Sequence, residues 1–144
     1  MNRIPVTAER VLLGSMAQSK RALLTEMAGM LSSMDPDLVL EVIMAREKLG
    51  STGMGHGVAI PHGRMEGLNE PVVVVAIHQQ GVDFDAIDGE MVHIVVILLV
   101  PDDDNQAHLQ LLATLARLLQ QDTVRNHLRE AQSEQVVASL FDAD

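Results

Sequence analysis

The stretch that decides the fold is Val92-His93-Ile94-Val95-Val96-Ile97-Leu98-Leu99-Val100, which is apolar and rich in β-branched residues except at His93. A strand without alternation between apolar and polar residues buries both of its faces. Strands of this kind lie in the middle of a sheet that helices cover on both sides. The stretch therefore predicts a central strand of an α/β domain, and Pro101 ends it.

Two further strands are predicted before it. Val72 to His78 is apolar up to His78, so both of its faces are also expected to be covered, and Val58-Ala59-Ile60 is typical of a short strand. Asp88-Gly89 is a tight-turn pair that leads into the central strand.

Helical signals precede and follow the strands. Apolar residues recur at helical spacing from Ser19 to Ser33, and Asp35-Pro36 is the cap and first residue of a second helix that ends near Gly50. The buried stripe predicted for that second helix is Leu38, Val42, Ala45 and Leu49. A third helix spans residues 106–120 with the stripe His108, Leu112, Leu115 and Leu119.

The two ends of the chain are predicted to form short elements. Asp122 and Ser133 are expected to cap two short helices that end near Phe141. At the other end, residues 4–6 are predicted as a short strand and residues 8–13 as a helical turn. The order of elements predicts one α/β domain over residues 1–144, with a mixed central sheet and helices on both faces.

Composition restricts the possible partners. The chain has 144 residues with no cysteine, and ten basic against twenty acidic residues give a net charge of −10. This charge repels nucleic acid and anionic membranes and favours a basic protein partner. The amino terminus lacks a signal peptide's apolar segment and no apolar run is long enough to span a bilayer, so we expect a cytoplasmic protein without direct membrane insertion.

A glycine-rich loop leads to the candidate chemical centre, His62. The loop reads Gly50-Ser51-Thr52-Gly53-Met54-Gly55-His56-Gly57-Val58-Ala59-Ile60-Pro61-His62-Gly63. Its glycines permit close approach by another molecule, and Pro61 fixes the backbone just before the histidine. An imidazole is partly neutral and nucleophilic at physiological pH, which a phosphoryl acceptor requires.

Two other residues are candidates for the same site. His108 lies on an apolar stripe, as many purely structural histidines do, but it is in the first turn after Asn105, where helix amides favour a nearby anion. Arg46, near a helix end, is either a partner of the helix dipole or a clamp whose guanidinium fork fits phosphoryl oxygens. The residues alone leave both alternatives open.

The chain resembles the fructose/mannitol-type enzyme IIA domains of the bacterial phosphoenolpyruvate-dependent phosphotransferase system. The histidine signature matches from Glu47 through Met54-Gly55 to Val58-Ala59-Ile60-Pro61-His62-Gly63. The similarity covers about residues 8 to 141. Four further segments are similar to the nitrogen-regulatory branch in particular: residues 46–53, 84–88, 98–101 and 108–109. His56 departs from the asparagine common at its position.

The resemblance implies a phosphohistidine relay without a cofactor or a metal. A histidine phosphocarrier of the HPr type, NPr-like in the nitrogen branch, would phosphorylate His62, usually on Nε2, and Arg46 and His108 would assist. The phosphoryl group would then either regulate target proteins or pass to a separate permease domain.

Two alternatives from other classes are weaker. A metal-dependent hydrolase could use His56, His62, His108 and acids near Asp102, but the histidines lack the spacing of a helical zinc pair. An interaction module with an incidental histidine has only the acidic surface in its favour.

The charge balance gives a first testable prediction. Phosphoryl transfer from the carrier should slow as ionic strength rises, because salt screens the attraction between an acidic protein and a basic face. The candidate acidic rim is Asp102 to Asp104, which could instead merely cap the following helix. Initial rates from low to high salt test this, and a rate independent of salt contradicts it.

Overall fold

The computed structural model of the protein describes residue 4, residues 6–103 and residues 105–142. Within these residues, six strands and five helices follow a short 3-10 turn at Ala8–Arg10. The strands are β1 (Val11–Leu13), β2 (Gly53–Gly55), β3 (Val58–Ala59), β4 (His62–Met65), β5 (Val72–Val82) and β6 (Val92–Pro101). The helices are α1 (Lys20–Ala28), α2 (Pro36–Glu47), α3 (Asn105–Leu119), α4 (Asp122–Glu130) and α5 (Glu134–Phe141).

Strand β6 lies at the centre of one mixed sheet. It pairs antiparallel with β5 along one edge and parallel with β3 and β4 along the other. Strand β1 adds to β5 in parallel, and β2 adds to β3 antiparallel. The segment 58–65 therefore follows β6 as two short strands, with Ile60 and Pro61 between them.

Helices cover both faces of this sheet, as predicted. Helices α1 and α2 pack on one face, against alternate residues of the two long strands: Val74, Ala76, Val95, Ile97 and Leu99. Helices α3, α4 and α5 pack on the other face, against the residues between them: Val73, Val75, Ile94, Val96 and Leu98. Both strands lack polar alternation because each contributes to two cores, where a buried valine or leucine contributes about 1.5–3 kcal/mol. The α/β class is confirmed, whereas the predicted domain limits at residues 1 and 144 lie outside the described residues.

The buried stripe predicted for α2 is wrong by one position. Leu38 and Leu49 are 47% and 84% exposed, whereas the buried residues of this helix are Val39, Ile43 and Glu47. A glutamate in the stripe hides the periodicity, because a charged residue is ordinarily assigned to the solvent face. Glu47 is buried because Lys20 of α1 pairs with it. The helix also ends at Glu47 and not at Gly50.

Several short elements also differ from the sequence prediction. Residues 11–13 are a strand and not part of a helical turn, because they pair with residues 75–77 of β5. The strand predicted at 4–6 is absent at Ile4 and Val6, and Pro5 lies outside the described residues. Strands β2 and β4 were not predicted, and Asp122 is the first residue of α4 rather than its cap. Ser133 does cap α5, since the Val136 amide donates to its hydroxyl at 3.2 Å. None of the described helices is both long and apolar enough to cross a membrane.

Close packing between β4 and α2 generates the second prediction. A Cβ atom added at Gly63 would lie 2.5 Å from Val42 Cγ1, so close that the valine side chain or the backbone must shift. Gly63→Ala should therefore reduce the free energy of unfolding by about 1–3 kcal/mol, the usual cost of overpacking. Chemical denaturation measures this effect.

Two comparisons make the test specific to the contact. Gly29→Ala is the matched control, because an added Cβ there approaches no atom closer than 3.4 Å. The double variant Val42→Ala/Gly63→Ala should recover part of the loss, since it removes the opposing methyl group. Equal stability of Gly63→Ala and the wild type contradicts the prediction.

Candidate functional site

Backbone hydrogen bonds on two sides fix the position of His62. The Ile60 amide donates to the Thr52 carbonyl at 3.1 Å, and the Leu98 amide donates to the Pro61 carbonyl at 2.9 Å. His62 then begins strand β4, opposite Leu98 of β6. The sequence predicted a short strand at residues 58–60 only, whereas the structure places His62 at the start of a further strand. Within the described residues, β4 pairs with β6 alone, so its other edge is open.

The His62 ring has one nitrogen fixed by a hydrogen bond. Nδ1 lies 2.7 Å from the carbonyl oxygen of Ile60. A carbonyl oxygen only accepts, so Nδ1 must carry the proton of the neutral ring. The lone pair then lies on Nε2, and this nitrogen is the nucleophilic one.

His108 contacts this ring from helix α3. The two ring centroids are 5.4 Å apart and the ring planes are inclined at 78°. Burial lowers the pKa of His108 below its usual 6.5, and positive charge on His62 and Arg64 lowers that pKa further. His108 is therefore predominantly neutral at pH 7, beside a half-buried His62.

Arg46 reaches the site from the last turn of α2. Its Nη1 donates to the Gly50 carbonyl at 2.9 Å, which places the side chain over the end of its own helix. Arg46 and His62 line one open pocket of about 240 Å³, together with residues of the glycine loop and of α3: Ser51, Thr52, Gly53, Met54, Leu112 and Ala116. The structure thus brings both other sequence-predicted residues to His62, Arg46 through the pocket and His108 through the ring contact.

A second arginine near His62, Arg64, was not predicted from the sequence. Arg64 is exposed and two residues after His62 on β4, so both side chains lie on the sheet face that α3 covers. Its charge contributes to the low pKa of His108. Alternation along a strand would have identified Arg64, but residues 62–65 were not predicted as a strand.

The tip of the glycine loop is bonded to the loop that precedes β6. Asp88 accepts from the amide of Glu90 at 3.1 Å and from the amide of His56 at 3.0 Å. These two hydrogen bonds hold the pKa of Asp88 below its usual value of 3.8. His56 has φ of 58°, and its amide is occupied by Asp88, so this amide is not available to bind a phosphate.

Other histidines have fewer features of a phosphoryl acceptor. His78 is buried, with Nδ1 accepting from the Gly81 amide at 3.0 Å and Nε2 lying 2.7 Å from the Ala17 carbonyl. His93 Nδ1 is 3.0 Å from the His78 carbonyl. His56 and His127 are exposed.

The structure also bears on the predicted acidic rim and on the metal-dependent alternative. Asp102 and Asp103 are exposed in the turn after β6, and Asp104 of the predicted rim lies outside the described residues. Among residues 4, 6–103 and 105–142, no group of three histidine, aspartate or glutamate side chains could hold a metal ion. The hydrolase alternative therefore gains no support from this geometry.

Comparison with known proteins identifies the class. Residues 5–143 match the family described as "Phosphoenolpyruvate-dependent sugar phosphotransferase system, EIIA 2". The chain is thus a phosphoryl-transfer component, and it belongs to the EIIA 2 family of the phosphotransferase system. This confirms the resemblance found in the sequence.

Relatives within the family include nitrogen regulatory proteins. The one from Pseudomonas aeruginosa is 38% identical over 139 residues, covering 94% of this chain and 90% of the relative. The one from Escherichia coli is 42% identical over 125 residues, covering 85% of this chain and 77% of the relative.

Solved structures agree with these sequence matches. The nitrogen regulatory protein IIA-Ntr of Neisseria meningitidis superposes with a TM-score of 0.89 at 37% identity, covering 94% of each chain. The mannitol IIA of Escherichia coli superposes with a TM-score of 0.79 at 25% identity, covering 96% of this chain and 99% of that one.

The pKa of His108 generates the third prediction. Because the folded state binds this proton less readily than the unfolded chain, the contribution of His108 to stability should fall as pH drops below about 6.5. The loss should level off below the folded pKa. The measurement is the free energy of unfolding at about pH 7.5 and about pH 5.5, on either side of the ordinary histidine pKa. The difference between the two values should be smaller in His108→Gln than in the wild type.

His127→Gln is the control, because it removes an exposed histidine of α4 and leaves His108 in place. An NMR titration that places the pKa of His108 above 6.5 would contradict the prediction.

Proposed function

We propose that His62 accepts a phosphoryl group on Nε2 from a histidine phosphocarrier of the HPr type, NPr-like in the nitrogen branch. The observation that carries this proposal is the hydrogen bond from Nδ1 to the Ile60 carbonyl. The Nε2 lone pair attacks phosphorus, the P–N bond of the carrier's phosphohistidine breaks, and its electron pair returns to the carrier's imidazole. The Nδ1 proton stays on His62, where the Ile60 carbonyl stabilises the positive charge of the phosphorylated ring.

Arg46 assists by placing positive charge near the transferred group, and the neutral His108 assists as a hydrogen-bond donor. Phosphoryl transfer between imidazoles has a loose transition state, so positioning and charge stabilisation account for most of the catalysis. The guanidinium of Arg46 exchanges the Gly50 carbonyl for phosphoryl oxygens. Arg64 adds a further positive charge on the same face.

The shape of the site fits a protein donor better than a small molecule. A pocket of about 240 Å³ is small and open, below the roughly 300–1,000 Å³ of most small-molecule sites. The net charge of −10 favours a carrier with a basic face and disfavours nucleic acid. The family's carriers and targets make the cytoplasm the proposed compartment.

Similarity to nitrogen regulatory proteins supports a regulatory output. In this function, phosphorylation of His62 changes which target proteins the chain binds. Addition of a phosphoryl group to the imidazole alters the charge at an open surface, which is sufficient to change a protein interface.

A second candidate is transfer of the phosphoryl group to a separate fructose- or mannitol-type permease domain. It is favoured by 38% identity over 107 residues with the fructose-specific EIIA component of Haloferax volcanii, covering 74% of this chain and 70% of that protein. Mixing the phosphorylated protein with purified EIIB domains of both sugar types distinguishes the two. Transfer of label to an EIIB domain supports the permease, and label retained on the chain supports regulation.

The fourth prediction concerns the phosphoryl acceptor and its assisting residues. With phosphoenolpyruvate, enzyme I and the carrier, the wild type should acquire acid-labile phosphate and His62→Ala should acquire none. Arg46→Ala and His108→Ala should slow the reaction by up to about 10²–10³, the cost of removing one preorganised donor. Because the site is open to solvent, we expect the lower part of this range.

The controls separate chemistry from folding. His56→Gln changes an exposed histidine of the same loop, and Arg129→Ala changes an exposed arginine of α4; both should react at the wild-type rate. All variants should keep near-wild-type thermal stability, since exposed or half-buried side chains contribute little packing. Full labelling of folded His62→Ala would falsify the assignment, and wild-type rates for both assisting variants would make those residues structural.

A further inference from the structure

Glu47 is a buried carboxylate that the proposed transfer does not use. It directly follows Arg46 on α2, and the whole residue is 7% exposed. Lys20 Nζ lies 2.9 Å from Glu47 Oε2, and Thr52 donates to the carboxylate from its hydroxyl and from its amide, the latter at 3.4 Å. Three donors, two of them from Thr52, are thus directed at this one carboxylate.

Thr52 links this carboxylate to the phosphoryl acceptor. The Thr52 carbonyl accepts from the Ile60 amide at 3.1 Å, and the Ile60 carbonyl accepts from His62 Nδ1 at 2.7 Å. The side chain of Ile60 is 2% exposed, so the residue is held by its core packing as well as by these bonds. A continuous series of hydrogen bonds therefore runs from Glu47 through Thr52 and Ile60 to the imidazole.

A purely stabilising role explains the Glu47–Lys20 ion pair poorly. Burial of the Glu47 carboxylate costs desolvation that attraction to the partly exposed Lys20 often does not recover, and apolar side chains of similar volume are frequently at least as stable. The remainder of the α2 stripe is apolar, with Val39 and Ile43. What the carboxylate adds, and a leucine could not, is a fixed acceptor for both donors of Thr52.

We propose that Glu47 is a positioning residue for phosphoryl transfer. By holding Thr52, it fixes the Ile60 carbonyl and with it the orientation and the Nδ1–H tautomer of the His62 ring. This inference rests on the proposed function of His62 as acceptor, but its first readout, the tautomer of the unphosphorylated protein, does not require the phosphoryl-transfer reaction.

The test is the fifth prediction and uses two variants that interrupt the series at different points. Glu47→Gln replaces the anion by a group of the same shape, and Thr52→Val removes the hydroxyl donor while leaving the Glu47–Lys20 pair in place. Long-range ¹H–¹⁵N NMR should show predominantly the Nδ1–H tautomer of His62 in the wild type and a mixture of tautomers in both variants. The phosphorylation rate at saturating carrier should fall by about 10–100-fold, the loss typical of hydrogen-bond partners that orient a functional histidine.

Matched variants make the result specific. Thr52→Ser keeps the hydroxyl and should retain the wild-type tautomer and rate, and Glu41→Gln changes an exposed glutamate of the same helix. The double variant Glu47→Gln/Thr52→Val should be no slower than the slower single variant, because both act through one series. If Glu47→Gln does not fold, Thr52→Val alone decides the question.

Two results would overturn the proposal. One is an unchanged tautomer and rate in the folded variants, which would make the pair structural only. The other is a slower rate with an unchanged tautomer, which would place the effect elsewhere. Absence of phosphorylation in the wild type would instead refute the proposed function, and the tautomer populations would still test the positioning by Glu47.

Discussion

The backbone pairing of β6 with the segment 58–65 is the interaction on which the rest of the site depends. Residues 58–59 and 62–65 both pair in parallel with β6, and the Leu98 amide bridges the interruption by donating to Pro61. Strand β6 is buried on both faces between two helical layers, so it has little freedom to shift. The position of His62 is consequently fixed by pairing with a strand that is buried on both faces. The other edge of β4 is open within the described residues, and the His62 residue stays partly exposed. Rigid support and open access together suit a group that another protein must reach.

Helix α2 joins the chemistry to the core through two adjacent residues. Arg46 lies over the helix end and lines the pocket, whereas Glu47 points into the interior and bonds to Lys20 and Thr52. The same helix also packs against β4, where Gly63 allows the strand to approach Val42 closely. One helix thus contributes a positively charged side chain to the pocket, a buried carboxylate to the interior and a packing surface for the strand that carries His62.

Much of the fold could be predicted because the physical signals were local. Residues 72–78 and 92–100 are apolar throughout, and this pattern is correct for strands buried on both faces. The register of α2 could not be predicted, since a buried glutamate is acceptable only with partners that lie 27 and 5 residues away in sequence. His62, His108 and Arg46 could be proposed from the loop, the helix periodicity and the family signature, and the structure places them near one another. Arg64 was not, because β4 is short, begins after a proline and exists only through its pairing with β6.

The most consequential proposal is that the hydrogen bond to the Ile60 carbonyl directs phosphorylation to Nε2 of His62. The measurement that tests it most directly is ¹H, ¹⁵N and ³¹P NMR of the phosphorylated, ¹⁵N-labelled protein. Scalar coupling between phosphorus and Nε2 of His62, with Nδ1 still protonated, is the result the account predicts. Coupling to Nδ1 of His62, or to a nitrogen of any other histidine, would contradict it.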